Sequence, residues 1–305
     1  MHTDALVVGE ALVDIVRAAG GATVEHPGGS AANVAVALAR LGRPVRFATA
    51  WADDERGAVL ARHLAAAQVE LAADPHVLAR TSTATATLGA DGSATYEFDL
   101  EWRLGPVPTE PPPLVVHACS LGAVLEPGAD AVLGLVERLR DVATISYDVN
   151  VRPAVTGTGT DVVDLVERMA SRSDLVKASD EDLRHLYPGV PLAEAAAALR
   201  ALGPAAVVVT RGGEGATWFG SGDPVDVASL PVTVADTIGA GDTFGAAVVD
   251  ALWERGRLGA EMRGPLRDLP AHEVAEVLAH AARAAAVTVS RPGADPPYLR
   301  ELRLG

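Results

Sequence analysis

The sequence predicts an α/β fold: a three-layer α/β/α sandwich whose mostly parallel central sheet is covered by helices on both faces, with a small β-sheet lid set apart from it. Three observations carry this. Apolar strand-like runs alternate with helical runs along most of the 305 residues, which is the order of a parallel sheet with crossover helices. The alternation breaks twice, where short period-2 segments with glycine turns replace it. Glycine clusters at the ends of two strands lead straight into helical runs, the usual place for a ligand in an open α/β sheet. With 49% hydrophobic residues the chain can bury a full core.

Taken in order, residues 5–8 form an apolar strand, and Gly9-Glu10-Ala11-Leu12-Val13-Asp14 carries it to a carboxylate. Residues 13–26 read as short alternating strands around Gly20-Gly21. Pro27-Gly28-Gly29-Ser30-Ala31-Ala32-Asn33 is a turn opening a helix at 31–40, which Gly42 and Pro44 close. A strand at 45–50 and a helix at 56–67 follow. The stretch 81–102 is again strand-like, with Asp91-Gly92 as a hairpin signal. A proline-rich segment, 105–113, returns the chain to the core. Strands at 114–118, 144–148, 175–177 and 206–210 then alternate with helices at 129–140 and 192–201, and helices at 244–252 and 273–290 finish the fold. The expected organisation is one domain over 1–305, with core segments 1–12, 27–80 and 104–305 and a lid at about 13–26 and 81–103.

Charge and composition exclude several function classes. A net charge of −15 and a pI near 4.9 repel nucleic acid and anionic membranes, so neither is expected as a partner. The first residues lack a basic leader, and Glu10 and Asp14 interrupt the apolar stretch, so a cytoplasmic protein without a membrane span is expected. Cys119 is the single cysteine, which rules out an internal disulfide and reads as a small buried hydrophobe. The eight histidines show no metal-ligand spacing.

The chemistry concentrates in Asp236-Thr237-Ile238-Gly239-Ala240-Gly241-Asp242-Thr243-Phe244. Gly239, Ala240 and Gly241 have little or no side chain, so their N–H groups can converge on an oxyanion at the positive end of the helix that follows. A carboxylate beside bound phosphate is repelled unless it takes a proton from an attacking hydroxyl, which makes Asp242 a general-base candidate. The alternative is a glycine turn with Asp242 as an ordinary N-cap. A Walker A loop is excluded because no lysine follows Gly241, and the spacing of Gly239, Gly241 and Gly245 misses the dinucleotide fingerprint. Upstream, Gly28 and Gly29 allow close backbone approach, while Asn33 and Asp14 offer groups suited to sugar hydroxyls.

Together these two clusters resemble the paired signatures of the ribokinase-like, PfkB-type family of carbohydrate kinases, and the likeness spans nearly the whole chain. Asp148-Val149-Asn150-Val151-Arg152-Pro153 is similar to the family's Asp-x-Asn-x-Arg segment. Val207 to Ala216 is similar to its nucleotide-side strand and turn, and Val287 to Ala294 to its closing loop. The resemblance implies a ribokinase-like fold and an ATP- and Mg²⁺-dependent phosphotransferase acting on a primary hydroxyl of a small sugar. It implies catalysis by Asp242 with Gly239, Ala240 and Gly241, and sugar binding by Asp14, Gly28, Gly29, Asn33 and Arg152. Lys177, Ser179, Thr210, Gly212 and Gly215 fall on the nucleotide side. The family's Asn-x-x-Glu motif, which organises Mg²⁺ through water, is here Ser179 and Asp182, so Asp182 is the indirect metal candidate. Asp236, Ile238, Thr288 and Gly293 match the place where relatives hold a monovalent cation such as K⁺. A lid of this kind covers the sugar and implies a homodimer.

The opening motifs are most similar to fructokinases and 2-keto-3-deoxygluconate kinases. Glu97, Asp99 and Glu101 surround the lid position where a carboxylated sugar would need an arginine, so fructose is the expected substrate. A 2-keto-3-deoxygluconate kinase, a ribokinase or nucleoside kinase, and a non-catalytic sugar- or nucleotide-binding regulator are the alternatives; the presence of Asp242 favours an enzyme.

Overall fold

The computed structural model describes residues 4–18, 20–88 and 94–303. Its strands are β1 (Ala5–Val8), β2 (Leu12–Arg17), β3 (Thr23–Gly28), β4 (Val45–Ala48), β5 (Glu70–Leu71), β6 (Thr83–Leu88) and β7 (Ala94–Asp99). They continue with β8 (Val115–Cys119), β9 (Thr144–Asp148), β10 (Leu175–Ser179), β11 (Ala206–Thr210), β12 (Ala216–Phe219) and β13 (Val225–Val227). The α-helices are α1 (Ser30–Arg40), α2 (Glu55–Ala66), α3 (Ser120–Val124), α4 (Gly128–Leu139), α5 (Pro153–Thr156) and α6 (Thr160–Ala170). The remainder are α7 (Asp180–Leu186), α8 (Leu192–Ala201), α9 (Ala240–Glu254), α10 (Arg263–Arg267), α11 (Ala271–Val289) and α12 (Leu299–Leu302).

Nine strands form the main sheet in the order β13-β12-β11-β10-β9-β8-β1-β4-β5. Its pairings are parallel from β5 to β11, and β12 and β13 add an antiparallel edge. β1, β8, β9 and β10 are almost wholly buried, as strands covered on both faces must be. On one face Val34, Leu38, Val249, Leu252, Val277 and Leu278 of α1, α9 and α11 pack together. On the other, Val132, Val136, Val166, Leu183 and Leu199 of α4, α6, α7 and α8 do so. β5, the β12–β13 hairpin, α6 and the short helices α3, α5, α7, α10 and α12 are additions to the elements read from sequence. Helix α9 starts at Ala240 rather than Phe244, because Gly239 takes a left-handed conformation (φ 73°) and caps it.

The lid is a separate four-stranded sheet, ordered β3-β2-β6-β7. Strands β2 and β6 run parallel, and β3 and β7 are antiparallel edges. The Asp91-Gly92 turn lies outside the described residues. Trp102, expected at the end of the lid, belongs to the main core: its ring is buried and its indole N–H donates to the Gly122 carbonyl at 3.0 Å. The indole N–H finds its acceptor only in α3, which draws the chain back into the core after β7.

Candidate active site

The site lies along the carboxyl ends of β1, β9 and β10, where the first turns of α1, α3, α7 and α9 converge. Asp242 is the third residue of α9 and is 7% exposed. Gly239, not Asp242, is the N-cap, so the N-cap reading of Asp242 falls. Its carboxylate faces α1: Ser30 Oγ donates to Oδ1 at 2.6 Å and Asn33 Nδ2 donates to Oδ2 at 2.8 Å. A side chain on Gly239 would strike Ala294 at 2.7 Å, so the left-handed turn is a requirement of packing as well as of φ.

Beneath the turn runs a buried ion pair. Lys177 Nζ on β10 donates to Asp148 Oδ2 on β9 at 2.7 Å, and the two side chains are 9% and 1% exposed. Burial pushes Asp148 up to about 6 against the pull of Lys177, while its Oδ1 has no partner among the described residues. Burial opposes the charge on Lys177, but Asp148, Asp182 and Asp242 together outweigh it and raise the lysine. A Cβ on Gly241 would come within 3.4 Å of Lys177 Nζ, so the ammonium sits just under the backbone of the α9 turn. This places a fixed positive charge beside the first turn of α9.

Asp14, Gly28, Gly29 and Arg152 gather where the small sheet meets the main one. Gly28 is paired with Leu12, and the Asp14 carboxylate fills the space a side chain on Gly28 would occupy. Gly29 is the N-cap of α1 at φ 101°, with its backbone against Glu10. Burial raises Asp14 to about 6, with His26 and Arg152 opposing. Arg152 is exposed, and its Nη1 donates to Asn150 Oδ1 at 2.5 Å and to the carbonyls of Asn150 and Val151. Its field reaches both Asp14 and Glu10.

Several expectations need correction. Glu97 and Asp99 do not flank Asp14. The register aligns Asp14 with His26, Ala84 and Phe98, whereas Glu97 and Asp99 are one residue out of phase and take the opposite face of the lid. Asp99 is bonded to Arg80, and Glu101 to Arg103. Asp182 is a capping-box residue. Its Oδ2 accepts from Ser179 N at 2.7 Å and its Oδ1 from Val151 N at 2.8 Å, so Ser179 and Asp182 lock α7 onto the segment after β9. The Thr288 hydroxyl is within 3.0 Å of Thr243 Oγ1 and donates to the Ala284 carbonyl, while its own carbonyl accepts from Arg291 N, which leaves that carbonyl a second lone pair for a cation. Asp236 does bring two loops together, accepting from Ile238 N at 3.0 Å and Gly293 N at 2.9 Å. Thr210 ends β11 beside Ser179. Gly212 (φ 49°) and Gly215 (φ 98°) form the turn after it, where a side chain on Gly215 would overlap the Val227 carbonyl, so that glycine serves the hairpin.

Four members of the site were not singled out from sequence: Glu10, Ser30, Asp148 and Asn150. Each sits inside a motif that was read, but only the fold shows what its side chain touches. Among the described residues no group of three or more His, Cys, Asp or Glu side chains could hold a metal ion. None of the described helices is long and apolar enough to cross a membrane.

Comparison with known proteins bears on the family and the fold. The model of the pfkB family of carbohydrate kinases matches residues 2–301. A fructokinase from Rhizobium leguminosarum bv. trifolii is 34% identical over 260 residues, spanning 81% of this chain and 79% of the relative. The crystal structure of a fructokinase from Xylella fastidiosa with bound ATP superposes with a TM-score of 0.88 at 25% identity, covering 100% of this chain and 98% of that one. A ribokinase from Thermotoga maritima shares the fold, with a TM-score of 0.73 at 20% identity over 99% and 98% of the two chains. The chain belongs to the pfkB family of carbohydrate kinases, with the ribokinase-like fold.

Proposed function

We propose that this sugar kinase transfers the γ-phosphoryl group of ATP to a primary hydroxyl of a neutral sugar, with fructose as the first candidate. The observation that carries the reading is Asp242: a buried carboxylate, free of any capping role, held by Ser30 and Asn33 at the mouth of a glycine-capped helix. In the proposed step, Asp242 takes the hydroxyl proton as the sugar oxygen bonds to the γ-phosphorus. The bond from that phosphorus to the bridging oxygen breaks, and ADP leaves. The N–H groups of the Gly239–Gly241 turn and the Lys177 ammonium stabilise the charge on the group in transit. Asp14 and Asn33 hold sugar hydroxyls. Mg²⁺ would arrive with ATP and meet the Asp182 segment through water, since both Asp182 oxygens already accept backbone N–H groups. The fructokinase relatives support fructose.

One observation favours a carboxylated sugar as the second reading. With Glu97 and Asp99 turned to the far face, Arg152 is the charged side chain whose field acts on Asp14 from outside the lid strands, so an anionic substrate meets less repulsion than the sequence suggested. ADP release measured over fructose, 2-keto-3-deoxygluconate, ribose and a nucleoside decides between them. The Asp242→Asn variant, which keeps the shape and removes the basicity, is expected to lower kcat at least ~10²-fold with every substrate. Turnover within a few fold of wild type would remove Asp242 from the role of base.

A further inference from the structure

Four side chains form an unbroken file into the site. Arg152 Nη1 donates to Asn150 Oδ1 at 2.5 Å, Asn150 Nδ2 donates to Ser30 Oγ at 2.8 Å, and Ser30 Oγ donates to Asp242 Oδ1 at 2.6 Å. We propose that this file is a directional hydrogen-bond relay, in which Ser30 and Asn150 are positioning residues that fix the orientation of the Asp242 carboxylate for proton abstraction. The proposal rests on the reading of Asp242 as the base.

The direction follows from donor and acceptor inventory. A guanidinium can only donate, so Arg152 selects the oxygen end of the Asn150 amide and turns its NH₂ toward Ser30. A hydroxyl carries one hydrogen. With a lone pair of Ser30 Oγ engaged by Asn150, that hydrogen is left for Asp242. The charged end of a neutral relay thereby determines which way a serine proton points two residues further in. The backbone is arranged to present this file. Asn150 sits at φ 41°, in the left-handed region that asparagine and aspartate tolerate best, and Ser120 Oγ donates to its carbonyl at 3.2 Å. Ser30 is the first residue of α1, just after the Gly29 N-cap, and is 7% exposed; the Cys119 thiol also meets its hydroxyl, but burial keeps that thiol protonated, so it does not compete with Asp242 for the serine hydrogen. Asn33, one turn along α1, takes the other carboxylate oxygen at 2.8 Å. The carboxylate is thus gripped from both sides by one helix, and only the Ser30 side is tied to a distant charge.

The charged and titratable groups acting on Asp242 from neighbouring elements are Glu10 after β1, Cys119 at the end of β8, Asp148 on β9 and Lys177 on β10. None of them is altered by the tests that follow. Ser30→Ala removes the last link. Asn150→Asp keeps the left-handed backbone but offers Ser30 an acceptor in place of a donor, which draws the serine proton away from Asp242. Each change is expected to lower kcat about 10- to 100-fold with KM for sugar and ATP within about threefold, and to move the acid limb of kcat/KM to higher pH, because a carboxylate loses a donor. Ser30→Thr, which retains the hydroxyl, should recover most of the lost kcat. The Ser30→Ala, Asn150→Asp double variant should be no worse than the poorer single variant, since both break one path. Asp242→Asn is measured alongside. If it is inactive while Ser30→Ala turns over within twofold of wild type, or if the two relay changes multiply in the double variant, the relay is overturned and the base stands. If Asp242→Asn stays active, the base is overturned and the relay with it.

Discussion

Glu10 sits where two helix starts converge: Ser30 N at the head of α1 donates to one carboxylate oxygen at 3.3 Å, and Gly122 N in α3 to the other at 2.9 Å. Burial lifts its pKa to about 7, against the pull of the backbone N–H groups and Arg152, while Asp242 adds to the rise. The sign of the stability effect follows. An unfolded glutamate titrates near 4.5 and the folded one near 7, so between those values the native state binds the proton that the unfolded state has lost. The contribution is fully present below about pH 4.5 and is gone once pH has risen through 7, a change of up to about 3 kcal/mol. Asp14 and Asp148, raised to about 6, act in the same direction. Buried His117, held down to about 3, acts in the opposite direction up to its ordinary value near 6.5, so the difference between the two proteins is the readout: from pH 5 to pH 8 we expect wild-type Tm to lose distinctly more, or gain distinctly less, than that of Glu10→Gln, which cannot ionise. Equal slopes for the two proteins would show that Glu10 does not titrate in that window. At this scale the sequence disclosed residues whose type alone implies chemistry: Asp242 behind glycines, Asn33 behind Gly28-Gly29, and Asp14 after a strand. It did not disclose Ser30, because a serine in a glycine-rich turn looks like a turn former, and its partners Asp242 and Asn150 lie 212 and 120 positions away.

At the scale of elements, the lid presents an unsatisfied surface. On the face that carries Asp14, Val24 is 51% exposed, Tyr96 63% and Phe98 37%, and the two rings stack with centroids 6.4 Å apart. Both outer strands, β3 and β7, are open edges, and exposed edges beside apolar side chains favour association. We propose that a second copy of this chain covers the face, which is continuous with the Asp14 carboxylate proposed to bind sugar. Light scattering of the wild type is then expected to give a dimer mass, and Tyr96→Asp combined with Phe98→Asp a monomer with a higher KM for sugar. A wild-type protein that is monomeric at micromolar concentration would refute this. The two strand pairs of the lid were legible because period-2 patterning with glycine turns has few other readings. Which acids share a face with Asp14 was not legible, since a one-residue change of register inverts every side chain. Helix α6 was missed for a related reason: its buried Val162, Val166 and Met169 are spaced at helical intervals among acids and arginine, and the stripe is narrow.

Over the whole molecule, a net charge of −15 surrounds a site that must receive an anionic nucleotide. Lys177 is positive but buried and paired with Asp148, while Arg152, although exposed, is tied to Asn150 and its neighbouring carbonyls. Two ranges therefore act on incoming ATP. Near contact, in the proposed reading, the α9 turn and Lys177 attract the phosphates through a poorly screened interior; farther out, the acidic surface repels the nucleotide through water, where about 10 Å of screening length applies at 0.1 M salt. Raising ionic strength weakens the far term much more than the near one. We expect kcat/KM for ATP to rise severalfold when choline chloride, a salt whose cation is too large to occupy a small cation loop, is increased from about 20 to 200 mM at saturating sugar, with kcat nearly constant. A fall in kcat/KM would mean that exposed basic groups at the site entrance outweigh the acidic surface. A change in kcat instead would place the effect of salt in the chemical or product-release step rather than in encounter.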